Sequence, residues 1–81
     1  MQRINHHHLY VYWIFYKHQS FTRAAEELSI AQSAVTLQVK ALEESLNLKL
    51  IDRSHPRRPQ MTEEGHKVFE YADSIFEASR E

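Results

Sequence analysis

The chain has 81 residues, one glycine, two prolines and no cysteine, with 42% hydrophobic residues and a formal net charge of −1. That length makes one small domain whose core can only just offset chain entropy. The missing cysteines exclude a disulfide framework and a thiolate metal site, and the shortage of turn formers favours long helices over a many-stranded sheet. The fold class expected is therefore mainly α. The near-neutral charge conceals an asymmetry. Through residue 61 there are eight Lys and Arg against five acids, whereas residues 62–81 carry six acids against two bases. A basic body with an acidic tail fits a polyanionic partner, because local field and not whole-chain charge steers such a ligand.

The first apolar run, LYVYWIFY at residues 9–16, is far shorter than the ~20 residues that cross a bilayer. It is preceded by His6, His7 and His8 in place of a basic start and a cleavage site, so no signal peptide and no membrane partner are expected, and the cytoplasm is the expected compartment. Pattern alone does not separate strand from helix here. Leu9, Tyr12 or Trp13, and Tyr16 fit helical spacing, which predicts a first helix from about His7 to His18. The three histidines diverge by about 100° each on a helix and do not converge on one ion, so no metal is expected. Ser20 is placed to cap a second helix, Phe21 to Leu28, which should bury Phe21, Ala24, Ala25 and Leu28.

After a tight connection at Ser29 to Ala31, a third helix runs to about Leu46. Val35, Val39, Leu42 and Leu46 share its core face, while Leu37 turns away into a polar stripe with Ser33, Thr36, Lys40 and Glu44. Two helices joined by about three residues, the first rich in alanine, form a helix-turn-helix. Residues 48–62, LKLIDRSHPRRPQMT, read as a short β-hairpin with a basic turn region at His55 to Pro59. Thr62 then caps a last helix that opens with Glu63 and Glu64, suited to the positive end of the helix dipole. The apolar seam of that helix, Val68, Phe69, Ala72, Ile75, Phe76 and Ser79, suggests a partner helix and hence a homodimer. The organisation expected is a winged helix-turn-helix at residues 1–61 and a linker or dimerisation helix at residues 62–81.

Groove dimensions then assign the work. The third helix fits the major groove of double-stranded DNA, and the hairpin reaches the adjacent backbone or minor groove. Gln32, Ser33 and Leu37 are the candidate base readers. Gln suits the paired acceptor and donor of adenine, and a leucine can pack on a thymine methyl. Leu37 has a plainer reading too, as a side chain packed on the wing or simply exposed. Lys40, Arg53, Arg57 and Arg58 are candidate phosphate ligands, and Ser20, Thr22 and Thr36 can donate hydrogen bonds to phosphates. No nucleophile with its base, no carboxylate pair in a cleft and no glycine-rich loop is visible, so no enzyme and no cofactor are expected. The competing class is a helical protein-interaction module in which the aromatic first helix and the last helix form the working surface.

SFTRAAEELSIAQSAVTLQVKALEESLNLKLIDR followed by MTEEG resembles the N-terminal domain of LysR-type transcriptional regulators over essentially the whole chain. Within that family, INHHHLYVYWIFYK and VFEYADSIF are most similar to the sodium/proton antiporter activator branch. The resemblance implies a winged helix-turn-helix joined by a linker helix, paired antiparallel in the dimer, to a C-terminal effector-sensing domain. It implies DNA contacts from Gln32, Ser33, Thr36 and Lys40, from Ser20 and Thr22, and from Arg53 with Arg57 or Arg58. Four positions depart from the family pattern. Ala31 stands where a capping Ser or Thr is usual, Gln19 replaces the usual Gly, Leu37 replaces a frequent Arg, and the wing SHPRRPQ is longer and richer in proline. With the chain ending at Glu81, an excised DNA-binding domain or a natural short protein is expected, and no effector ligand is expected to bind it.

Overall fold

The computed structural model describes residues 4–54 and 58–77. Four helices, α1 (His6–His18), α2 (Phe21–Leu28), α3 (Gln32–Leu46) and α4 (Glu63–Phe76), enclose one core. Between α3 and α4, strands β1 (Ile51–Asp52) and β2 (Gln60–Met61) pair antiparallel with Ile51 opposite Met61 and Asp52 opposite Gln60.

Helix α1 resolves the ambiguity of the aromatic run. Leu9, Val11, Tyr12, Trp13, Ile14 and Phe15 are all buried, because α2, α3 and α4 pack around it. A helix apolar on every side requires such an enclosed position, and the high β-propensity of its residues yields to that packing. Asn5 caps its start, accepting from the backbone N–H groups of His7 and His8 at 2.9 and 3.1 Å. Gln19 ends it in the left-handed conformation, φ 52°. A glycine adopts that conformation without cost, whereas a residue with a Cβ is disfavoured by about 1–2 kcal/mol, which accounts physically for the glycine usual there.

Ser20 caps α2 as expected, its hydroxyl oxygen accepting from the Arg23 N–H at 3.1 Å. Ala24 and Ala25 are buried, while Phe21 and Leu28, expected in the core, are only half-buried at its edge. Phe21 instead packs its ring 4.4 Å from that of Phe15. Val35, Val39 and Leu42 of α3 are fully buried, Leu46 half-buried, and Leu37 is 67% exposed. Ala31 supplies no side-chain cap, yet α3 begins at Gln32 with the Ala31 carbonyl accepting from Ala34 and Val35.

The hairpin is shorter than the apolar alternation predicts. Leu48 is 39% exposed, and Leu50 and Ile51 are both buried although they are neighbours. Adjacent burial is incompatible with one flat strand face. The Leu50 carbonyl accepts from the Thr62 N–H at 3.0 Å, so the segment is tied beneath the start of α4 before the ladder begins.

Helix α4 lies against α1. The Trp13 indole donates to Asp73 Oδ1 at 2.9 Å, the Tyr16 and Phe69 rings stack at 3.8 Å, Tyr10 and Trp13 flank Phe76, and the Tyr16 hydroxyl lies 2.7 Å from His66 Nδ1. The seam assigned to a partner helix is thus largely filled within the chain, and Ala72 has no exposed surface left. The aromatic residues of α1 provide that cover. Ser79 lies outside the described residues.

Tyr12, fully buried, donates to the Gly65 carbonyl at 2.8 Å and so pins α1 to the first turn of α4. Burial, with Tyr16 and Glu43 nearby, holds its hydroxyl well above the ordinary tyrosine range. A pKa raised by folding contributes stability that is fully present below the unfolded value, about 10, and is lost as pH rises through the folded one. Stability should therefore decline from about pH 10 upward. Tyr12→Phe should flatten that decline while costing about 1 kcal/mol at neutral pH for its lost hydrogen bond. Denaturant melts across this range check both effects.

Candidate nucleic-acid interface

The start of α3 is presented to solvent by the packing behind it. Because Val35, Val39 and Leu42 hold one face in the core, the opposite face must carry Ser33, Leu37, Lys40 and Glu44, and all four are exposed. Gln32 is exposed as well. Two hydroxyls meet at Gln32: that of Thr22 donates to Gln32 Oε1 at 3.1 Å, and that of Thr36 donates to the Gln32 backbone carbonyl at 3.3 Å. Gln32 and Ser33 thus stand in the first turn of an exposed helix, Leu37 follows one turn on, and Lys40 lies beyond it.

These bonds sort the hydroxyls expected to reach phosphate. A hydroxyl has one hydrogen to give and two lone pairs with which to accept. Ser20 uses its oxygen to accept from Arg23 and keeps its hydrogen, whereas Thr22 and Thr36 have given theirs to Gln32. Only Ser20 is ready as a phosphate donor without rearrangement.

Arg53 differs from the expectation in a similar way. Its guanidinium donates to Glu43 Oε1 at 3.2 Å, with side-chain exposures of 35% for Arg53 and 11% for Glu43. Glu43 Oε2 accepts from the N–H groups of Leu50 at 2.8 Å and Ile51 at 3.2 Å. One carboxylate therefore ties α3 to the first residues of the wing, and Arg53 completes that tie before it can serve as a phosphate ligand. Glu43 went unnoticed in the sequence because it looks like one of a pair of solvated glutamates. Its position beside Leu42, rotated from the exposed stripe of Glu44, was the available signal. Lys40, Lys49 and Arg53 meet Glu43, Glu44, Asn47 and Leu48 around one open cleft at the C-terminal end of α3. Arg58 is exposed on the wing, and Arg57 lies outside the described residues.

Of the expected dimerisation residues, Ala72 is buried and Val68, Phe69, Ile75 and Phe76 are half-buried against the core. Tyr71, which shares the flank of Val68 and Ile75 at helical spacing, is 52% exposed. Among the described residues no helix is long and apolar enough to cross a membrane, and no group of three or more His, Cys, Asp or Glu side chains is arranged to hold a metal ion.

The geometry agrees with known proteins. Residues 6–66 match the family model described as bacterial regulatory helix-turn-helix protein, lysR family. The chain is 42% identical over 81 residues to the transcriptional activator protein NhaR of Escherichia coli, covering all of this chain and 27% of that protein. It is 43% identical over 65 residues to the RuBisCO operon transcriptional regulator of Allochromatium vinosum, covering 80% of this chain and 21% of that one. The chain thus spans about a quarter of the length of these curated relatives. Among solved structures, the BenM DNA-binding domain in a complex with catB site 1 DNA superposes with a TM-score of 0.85 at 34% identity, covering 94% of this chain and 84% of that one. The oxidized form of Corynebacterium glutamicum OxyR gives 0.85 at 31% identity over 96% of this chain and 25% of that one. With residues 6–66 matching that family model and the fold superposing on a DNA-binding domain solved on DNA, the chain belongs to the lysR family of bacterial regulatory helix-turn-helix proteins and is a DNA-binding domain of that type.

Proposed function

We propose that this domain binds an interrupted palindromic operator in the cytoplasm as a homodimer, and that it acts by recognition and not by catalysis. Helix α3 enters the major groove with Gln32, Ser33 and Leu37 toward the bases. Lys40, Ser20 and the wing arginines Arg58 and Arg57 lie along the phosphates. The observation that carries this reading is the exposed first turn of α3, where a glutamine, a serine and a largely exposed leucine stand together above a lysine, in a fold shared with a domain solved on DNA. The flank of α4 that carries Val68, Tyr71 and Ile75 supplies the partner-facing apolar surface. The remaining seam residues, Phe69, Ala72 and Phe76, hold that helix on α1.

Fluorescence anisotropy with a pool of duplexes at two salt concentrations tests this. Binding should weaken steeply with salt, since each neutralised phosphate adds about 0.9 to the slope of log K against log salt. Lys40→Ala should remove about one unit of that slope with little change in base preference, whereas Leu37→Ala should relax preference at one base pair and leave the slope alone. Absence of salt-dependent binding by a folded chain would overturn the proposal.

A further inference from the structure

The hydrogen bond from Thr22 to Gln32 joins the first turn of α2 to the first turn of α3, ten residues apart in sequence and both exposed. A glutamine amide on a helix surface is free to rotate and to exchange the places of its oxygen and nitrogen, and the two arrangements present opposite hydrogen-bonding edges to a base. Here the Thr22 hydroxyl donates to the oxygen at 3.1 Å, and that holds the side chain against α2 instead of leaving it free to swing. The oxygen is held toward α2, so the NH2 group is carried on the side away from it. The amide keeps both N–H donors and one free lone pair on the oxygen. A second contact steadies the same residue, because the Thr36 hydroxyl donates to the Gln32 backbone carbonyl.

The same bond changes the role of Thr22. Its single hydroxyl hydrogen is committed to Gln32, and what remains on its oxygen is acceptor capacity, which a phosphate does not satisfy. Building on the DNA-binding reading above, we propose that Thr22 is a positioning residue for base recognition: it holds the Gln32 side chain in place and thereby sets which base that amide reaches, and it is not a phosphate ligand. An exposed hydrogen bond of this kind is modest alone, but it holds a side chain that would otherwise have to be ordered at the moment of binding, so its effect falls on discrimination.

The experiment uses the 81-residue chain. A site is first selected from a randomised duplex pool. Anisotropy then gives the affinity of wild type, Thr22→Val, Thr22→Ala, Thr22→Ser, Gln32→Ala and the Thr22→Val/Gln32→Ala double variant for that site and for every single base-pair change in it. Positions flattened by Gln32→Ala define the bases that Gln32 reads. At those positions Thr22→Val and Thr22→Ala should reduce discrimination about fivefold, the worth of one ordinary hydrogen bond. The salt slope should stay unchanged, Thr22→Ser should restore selectivity, and Thr22→Val should add nothing in the Gln32→Ala background. A uniform loss of affinity for all sequences with a salt slope shallower by about one unit would make Thr22 a phosphate ligand and overturn the proposal. Unchanged discrimination, or the absence of any position flattened by Gln32→Ala, would overturn it as well. Failure of wild type to select any site would instead refute the DNA-binding reading beneath it. Thr22 is exposed, so melts of the three Thr22 variants should match wild type and separate lost selectivity from lost fold.

Discussion

Glu43→Ala should destabilise the domain by about 2–4 kcal/mol, because it removes the acceptor of two backbone N–H groups and the partner of an arginine at once. The carboxylate is 9% exposed as a residue and takes hydrogen bonds from Leu50, Ile51 and Arg53. Leu50 and Ile51 are buried, so water does not freely replace the lost acceptor. For a domain of this size each kcal/mol lowers Tm by about 4–8 °C, and a fall of about 10 °C or more is therefore expected. Arg53→Ala should cost less, about 1 kcal/mol, since the glutamate keeps its two backbone donors and the arginine is partly solvated. The ranking separates this view from one in which Arg53 is purely a DNA ligand, for which Arg53→Ala would weaken binding and leave the melt unchanged. Glu43 also carries a functional consequence. It fixes the start of the wing relative to α3, one turn beyond Lys40, so both substitutions should weaken DNA binding through a misplaced wing even where the folded fraction is high. A melt of Glu43→Ala indistinguishable from wild type would refute the coupling.

Periodicity made most of the architecture legible, and the places where it failed share a cause. The core stripe of Val35, Val39 and Leu42 follows from spacing alone, and with it the outward direction of Leu37. The caps at Ser20 and Thr62 follow from local chemistry, since a hydroxyl before a helix has orphan N–H groups to satisfy within three residues. Features that depend on which elements meet were not readable in that way. The aromatic run at residues 9–16 has no period, and only enclosure by three helices explains it as α1. Nothing in the sequence of α4 alone reveals that Tyr10, Trp13 and Tyr16 pack against its seam. Glu43 and Glu44 are alike by composition, and although helical position turns Glu43 toward the core edge, its partners become visible only with the return of residues 50 and 51 beneath α3. Within the candidate interface, Gln32, Ser33, Leu37 and Lys40 could be placed on a shared exposed region from helical geometry. That Thr22 gives its hydrogen to Gln32 required the angle between two helices.

Gly65→Ala should be about as damaging as Glu43→Ala, with a loss of about 3 kcal/mol. In an isolated helix the change would help, because alanine is the better helix former by about 0.5–1 kcal/mol. Here a Cβ at position 65 would lie 2.2 Å from the Leu50 carbonyl oxygen and 2.9 Å from the Tyr12 hydroxyl. The first is a backbone atom, held by the bond that the Leu50 carbonyl accepts from Thr62, so it has no rotamer in which to retreat. The first turn of α4 must move instead, and three ties are strained together: the Tyr12 hydroxyl to Gly65, the Thr62 N–H to Leu50, and the Thr62 hydroxyl to the Lys49 carbonyl. Melts of Gly65→Ala alone and in the Tyr12→Phe background divide the contribution of the two contacts. Removing the tyrosine hydroxyl relieves the 2.9 Å approach and leaves the other, so most of the destabilisation should persist in the double variant. If Tyr12→Phe instead rescued Gly65→Ala fully, the tyrosine and not the backbone of the wing would be what demands glycine. If the alanine variant were as stable as wild type, the close packing of α4 on the wing would itself be refuted. The one glycine of the chain stands, on this account, where the first turn of α4 meets the wing and α1, and its loss should loosen that junction before it disturbs the exposed turn of α3.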